Sequence, residues 1–226
     1  MNIKIGVKPS CGGKFLEMTM VEAARAPKGN DRRTEILDVA RDLLLTQGYD
    51  KTSMRNIAAR LNVTPTTLYL YFKNKDELVF HLMEETFSIL WADLAEVVEP
   101  IGDPVERLRR GLEIYVRFGL DHPDHYRVVF MRLPPDTRVT ASQHAPEPGD
   151  TNILSEQAFR LLRGAVDACI EAGLFRPVDA IAAAEMLWAS VHGLTAMVIR
   201  SSRALHSPHD GLIRLQLDTL IRGLLA

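Results

Sequence analysis

With 226 residues, 46% of them hydrophobic and 25% charged, the chain has room for one large or two small domains and the composition of a soluble globular protein. Its two cysteines, Cys11 and Cys169, are far apart in sequence, which argues for a reducing compartment and against a disulfide scaffold or a zinc site. The net charge of −2 conceals a polarity: residues 28–75 carry nine Lys/Arg against five Asp/Glu and residues 76–226 carry 14 against 22, so only the front of the chain suits a polyanion.

Residues 1–30 show no sustained period and contain Gly, Pro and Lys, which predicts a flexible tail, with Phe15 to Ala26 suited to a short helix. No charged-then-apolar leader pattern opens the chain, so export is not expected. From Arg33, apolar residues Ile36, Leu37, Ala40, Leu43 and Leu44 recur at three- and four-residue spacing and Gly48 follows as a stop. Thr52-Ser53 then supplies an N-cap for a short helix with Ile57, Ala58 and Leu61 inward. Asn62-Val63 forms a turn, and Thr64 is expected to cap a third helix with Pro65 at its first position, where a missing N–H costs nothing. Asn74 with Glu77 makes a capping box for a fourth helix, which the Glu99-Pro100 pair ends.

Asp103-Pro104 with Glu106 starts the next helix, and a shorter one follows His122-Pro123. Residues 134–150, with four prolines and little apolar content, predict an exposed loop. Long helices are expected over Ser155 to Ala172, closed by Gly173, and Asp179 to Arg203, with a last one over His209 to Leu225. No stretch alternates with period two long enough for a strand, so the fold class is all-α.

The third helix, in VTPTTLYLYFKNKDEL, carries more hydroxyl groups than a small surface helix needs. Two short helices joined by a tight turn form a helix-turn-helix layout, whose second helix lies in the major groove of DNA. Thr66 and Thr67 are short enough for close approach, donate or accept hydrogen bonds, and bring a methyl to thymine. Tyr69, Tyr71, Lys73 and Lys75 offer phenol and charge at the distance of phosphates, while Leu68 and Phe72 anchor the helix inward. The opposing view is an amphipathic surface helix with half-buried aromatics.

The block from Arg33 to Leu78, with A-x-x-L-L-x-x-x-G-Y, T-S-x-R-x-I-A, L-x-V-T-P-T-T-L-Y-x-Y-F and KDEL at residues 75–78, closely resembles the tetracycline-repressor (TetR) family. The resemblance implies a homodimeric regulator of nine or ten helices. A tail (1–30) would precede a DNA-binding domain (31–78) and a ligand-binding and dimerisation domain (79–226). It places Thr64, Thr66, Thr67, Tyr69, Tyr71 and Lys75 at DNA-contact positions, together with Thr52, Ser53 and Arg55 of the preceding helix. KDEL is internal here and not a retention signal.

The back half is read on its own residues. The helix containing LWASVHGLTAMVI is apolar nearly all round, but Glu185, Ser190, His192 and Thr195 interrupt it, so burial between a core and a partner subunit is expected rather than a membrane span. Gly164, Ala165, Ala168 and Ala172 in the helix before it permit close helix approach, and together the two helices suit a four-helix bundle across a two-fold axis. Trp188, His192 and Gly193, with HPDHYRVVF at 122–130, resemble one branch of the family's effector domains. Trp91, Tyr115, Phe118, Tyr126, Phe130, Trp188 and His192 either line a ligand cavity or form plain core, and His192 is either a ligand group or a satisfied core histidine. His122, Asp124 and His125 lack further ligands nearby, so no metal is expected. No Gly-rich phosphate loop, G-x-S-x-G elbow or H-E-x-x-H occurs, and neither catalysis nor a cofactor is expected.

The expectation is a cytoplasmic, ligand-responsive transcription regulator, a repressor acting as a homodimer on double-stranded operator DNA and released by a small apolar effector, with no membrane partner. The rival is a helical carrier or enzyme that uses its cavity without DNA.

Overall fold

The computed structural model describes residues 30–98, 101–132, 151–201 and 205–226. The expectations for residues 1–29 and for the loop at 134–150 lie outside them. Nine α-helices are present among the described residues: α1 (Asn30–Gln47), α2 (Met54–Arg60), α3 (Pro65–Tyr69), α4 (Lys75–Val98), α5 (Pro104–Asp121), α6 (Pro123–Arg127), α7 (Thr151–Glu171), α8 (Ala180–Arg200) and α9 (His209–Arg222). A π-turn, Val128–Arg132, continues α6. The one strand-like feature described is an isolated bridge, Phe175 to Leu225. There the Arg176 N–H donates to the Leu224 carbonyl and the Ala226 N–H to the Leu174 carbonyl, tying the C-terminus back to the α7–α8 turn.

The caps expected from sequence act as local switches between helix and turn. Gly48 takes φ +82°, a left-handed conformation in which a side chain would be strained, and α1 ends there. Ser53 Oγ accepts from the Asn56 N–H at 3.2 Å to open α2. Asn62 turns the chain between α2 and α3 with φ 55°, a conformation that asparagine tolerates. The Thr64 hydroxyl caps no backbone group and instead meets Thr67 Oγ1 at 3.1 Å. At α4, Asn74 Oδ1 accepts from the Glu77 N–H at 2.8 Å while the Glu77 carboxylate accepts from the Lys73 N–H, a capping box displaced by one residue at its second bond. Asp103 Oδ1 accepts from the Val105 and Glu106 N–H groups at 2.8 and 3.4 Å to begin α5.

Two packed clusters form the core. The first joins α1 (Ile36, Ala40, Leu44), α2 (Ile57, Ala58), Leu68 and Phe72 of the α3 region, and α4 (Leu78 to Leu90) to Phe118, Tyr126, Val128 and Val129. The second joins α5, α7, α8 and α9 through Leu112, Val116, Val166, Ala184, Leu187, Val191 and Leu217. The helix-turn-helix unit therefore shares one continuous apolar contact with α4, α6 and the π-turn, across residue 78. At Gly119 of α5 a Cβ would clash with the Thr195 methyl and lie 2.9 Å from the Tyr126 ring, so glycine is what lets α5, α6 and α8 meet.

Candidate nucleic-acid interface and buried aromatic cluster

Helices α2 and α3 stand at the basic end of the chain. Leu68 and Phe72, 0% and 1% exposed, pin α3 to the core, and this rotates Thr66, Tyr69, Leu70 and Lys73 outward. Thr64 and Arg55 are also exposed, Ser53 and Thr67 are half-buried at the same end, and Tyr71 is half-buried against the first cluster. Eight of the nine expected DNA residues, all but Thr52, thus keep some surface near one helix pair.

Two of the nine side chains are tied into the protein itself. Thr52 is 2% exposed and its hydroxyl donates to the Gly48 carbonyl at 2.8 Å, so its side chain stabilises the α1–α2 turn and is not available to a partner. Lys75 is half-buried: Nζ donates to the Tyr49 carbonyl at 3.0 Å and lies 3.6 Å from the Tyr49 ring centre. Burial lowers the Lys75 pKa, partly opposed by Asp76 and Asp50. One of its three donors is therefore engaged within the protein and the others point from a fixed position. Tyr49 in turn donates to Asp76 Oδ1 at 2.7 Å, and burial raises its phenol pKa.

In the back half, α5, α6, the π-turn and α8 bring together five of the seven expected ligand residues. Tyr126 OH lies 2.6 Å from His192 Nδ1, Tyr115 OH lies 3.2 Å from both, and the Tyr126 and His192 rings stack at 5.5 Å. Phe130 packs on Tyr126 at 4.8 Å and on Tyr115 at 6.0 Å, and Trp188 meets His192 at 5.6 Å. Burial, then Tyr115, raises the Tyr126 pKa, so this phenol stays protonated within the cluster. Phe118 is not in this group: it is 1% exposed and faces His122 at 5.6 Å. Trp91 packs on the first cluster from α4.

His122 and His125 sit 6.0 Å apart, but His125 Nδ1 meets Thr86 Oγ1 of α4 at 3.3 Å and serves the joint between α4 and α6. Among the described residues no three His, Cys, Asp or Glu side chains form a metal-ligand group. A surface hollow of about 420 Å³ lies away from the aromatic cluster, between α1 and α4, lined by polar and charged residues including Arg33, His81, Glu84 and Glu85.

Sequence reasoning missed Leu70, 80% exposed on α3, and the His125–Thr86 contact. The first was legible, since Leu70 lies about 200° around the helix from Leu68. The second joins residues 39 apart and has no local signal.

Comparison with known proteins gives this geometry a context. Residues 36–82 match the family described as bacterial regulatory proteins, tetR family, and residues 108–220, half of the chain, match the tetracyclin repressor-like C-terminal domain. The transcriptional repressor KstR2 of Mycobacterium tuberculosis is 27% identical over 148 residues, 66% of this chain and 71% of that protein. The regulator EthR of Mycolicibacterium smegmatis is 30% identical over 98 residues, 43% of this chain and 45% of that protein. Among solved structures, the fatty acid degradation regulator FadR of Bacillus halodurans superposes with a TM-score of 0.68 at 18% identity, covering 87% of this chain and 96% of that one. Both domain matches, in the order that the helices dictate, give one conclusion: the chain belongs to the tetR family of bacterial regulatory proteins, and is a ligand-responsive, DNA-binding transcription regulator rather than an enzyme.

Proposed function

We propose that the protein is a cytoplasmic repressor that binds an inverted-repeat operator as a homodimer and lets go when a small, largely apolar effector binds. The observation that carries this is α4, one unbroken helix from Lys75 at the DNA end to Trp91 beside the core. By the ~1.5 Å rise per residue, that lever is roughly 24 Å long. Thr66 and Thr67, with Thr64 beside them, face base edges, while Ser53, Arg55, Tyr69, Tyr71 and Lys75 reach phosphates. An effector held among Tyr115, Tyr126, Phe130, Trp188 and His192, with Trp91 and Phe118 behind them, favours a tilt of α4 in which the paired α3 helices no longer match successive grooves about 34 Å apart.

The dimer reading rests on the face of α8 that its own chain leaves open. Ile181, Glu185, Ala189, Gly193 and Met197, each four residues on, are all exposed, as are Leu161 and Gly164 of α7. A Cβ at Gly164 or Gly193 would meet nothing within 4 Å, so close approach by a second copy is sterically open there. The same exposed face explains why α8 is long and apolar enough to pass for a membrane span. An apolar effector agrees with the relatives, among them a structure named for a ketosteroid regulator and one for fatty acid degradation.

A thermal-shift screen of apolar small molecules, followed by operator competition, tests the switch. Hits should stabilise the parent, release DNA, and lose both effects in Trp188→Ala or His192→Ala. Hits that stabilise the variants equally, or bind without changing DNA affinity, would remove this pocket and lever.

A further inference from the structure

We propose that Leu70 is a specificity-determining residue that reads the C5-methyl group of a thymine in the major groove, an assignment that rests on α3 being the groove-facing helix. Leu70 is 80% exposed, more than any other large apolar side chain among the described residues. It caps the C-terminal end of α3 in a helical conformation (φ −73°, ψ −20°) four residues after the exposed Thr66, and so stands on the same face. Its neighbour Tyr69 is 53% exposed.

Nothing among the described residues explains this placement, because Leu68 and Phe72 already anchor the helix from the opposite side. A hydrated, anionic phosphate offers an isobutyl group nothing. The major-groove edge offers one apolar feature, the thymine methyl, and an isobutyl group, which has no donor or acceptor, can meet the groove only by apolar contact with it. Four residues separate Leu70 from Thr66, about 6 Å along the axis, so the thymine lies one or two base pairs from the position that Thr66 faces. The polar residues around Leu70 (Thr66, Tyr69 and Lys73) fit a duplex better than an apolar protein partner.

The test begins by selecting a duplex from a randomised pool with the full-length protein, then replacing each thymine singly by deoxyuridine, which removes only the methyl group. The parent should lose about 4-fold in affinity at one position per half-site, the worth of one buried methyl. Leu70→Ala, changed in both subunits, should lose that factor once per half-site on the unmodified duplex, about 16-fold in all, and become indifferent to deoxyuridine at that position of either half-site, the non-additivity of a direct contact. Because the side chain is exposed, the variant should melt with the parent, which separates lost reading from lost folding. A parent that selects a duplex, while parent and variant respond alike to every deoxyuridine, would overturn the assignment and leave the groove reading intact. So would a variant that keeps full DNA affinity but shifts its sedimentation, which would make Leu70 a protein contact. A parent that selects no duplex would overturn the groove reading itself.

Discussion

At the scale of single residues, two threonines fourteen apart divide the α2–α3 unit into a part that holds the fold and a part that meets a partner. Thr52 is buried with its hydroxyl on the Gly48 carbonyl, whereas Thr66 is exposed on α3. Thr66→Ala should leave the melting midpoint in place, weaken operator binding by about 1–3 kcal/mol and relax preference at one or two base pairs. Thr52→Val should do the reverse, lowering stability by about 1 kcal/mol because the half-buried Gly48 carbonyl loses its donor. Paired melts and binding isotherms check both, and a Thr66→Ala variant with unchanged operator affinity would remove α3 from the groove. Lys75→Ala should weaken all duplexes alike and lower the salt slope by about one, with some loss of stability from its seat on Tyr49.

His125 sets a pH dependence at the same scale. Burial and the Arg41 guanidinium lower its pKa below 6.5, with His122 adding to this and Glu85 and Asp124 opposing it. The folded protein therefore binds a proton on this ring less readily than the unfolded chain does. The stability linked to His125 is fully present above pH 6.5, falls as the pH drops through 6.5, and levels off below the folded value. Urea melts between pH 7.5 and 5 should show this decline, and His125→Asn, which keeps a donor toward Thr86, should flatten it. A decline of equal size in the variant would assign it to other groups.

At the scale of elements, the sequence was most informative where a short-range chemical signal ends a helix. Gly48, Ser53, Asn62, Asn74 with Glu77, Asp103 and Gly173 all sit where a cap or a left-handed turn was expected, and the fold class follows from the helical spacing between them. Boundaries lacking such a signal moved: α7 begins at Thr151 rather than near Ser155, and α8 ends at Arg200 rather than Arg203. The π-turn at Val128–Arg132 was not legible, because VVF carries no residue that separates a π-turn from continued α-helix. Nor was the three-way approach at Gly119, which depends on Thr195 and Tyr126 arriving from two other helices. Gly119→Ala should cost about 1–3 kcal/mol through overpacking, and a calorimetric melt equal to the parent's would show that α8 yields more easily than the geometry implies. For the candidate site, the exposed hydroxyls of α3 were readable by helical phase. The meeting of Tyr115, Tyr126 and His192 was not, since the tyrosine and histidine pairs are 66 and 77 residues apart.

At the scale of the whole molecule, charge and apolarity are distributed to different ends. The basic front carries α2 and α3, and the acidic back leaves an apolar face open on α8. The account needs that face covered by a second copy, because one subunit supplies one α3 and an inverted repeat needs two. Ala189→Arg, exposed in the single chain, should fold normally but sediment as a monomer and lose operator binding. The most direct measurement is selection of DNA by the intact protein, with stoichiometry read on the recovered duplex by sedimentation. The account predicts an inverted repeat bound by two chains, with half-site centres about one helical turn or a multiple of it apart and an affinity that falls steeply with salt. Recovery of no common sequence, or of an unrepeated site bound by a single chain, would contradict it.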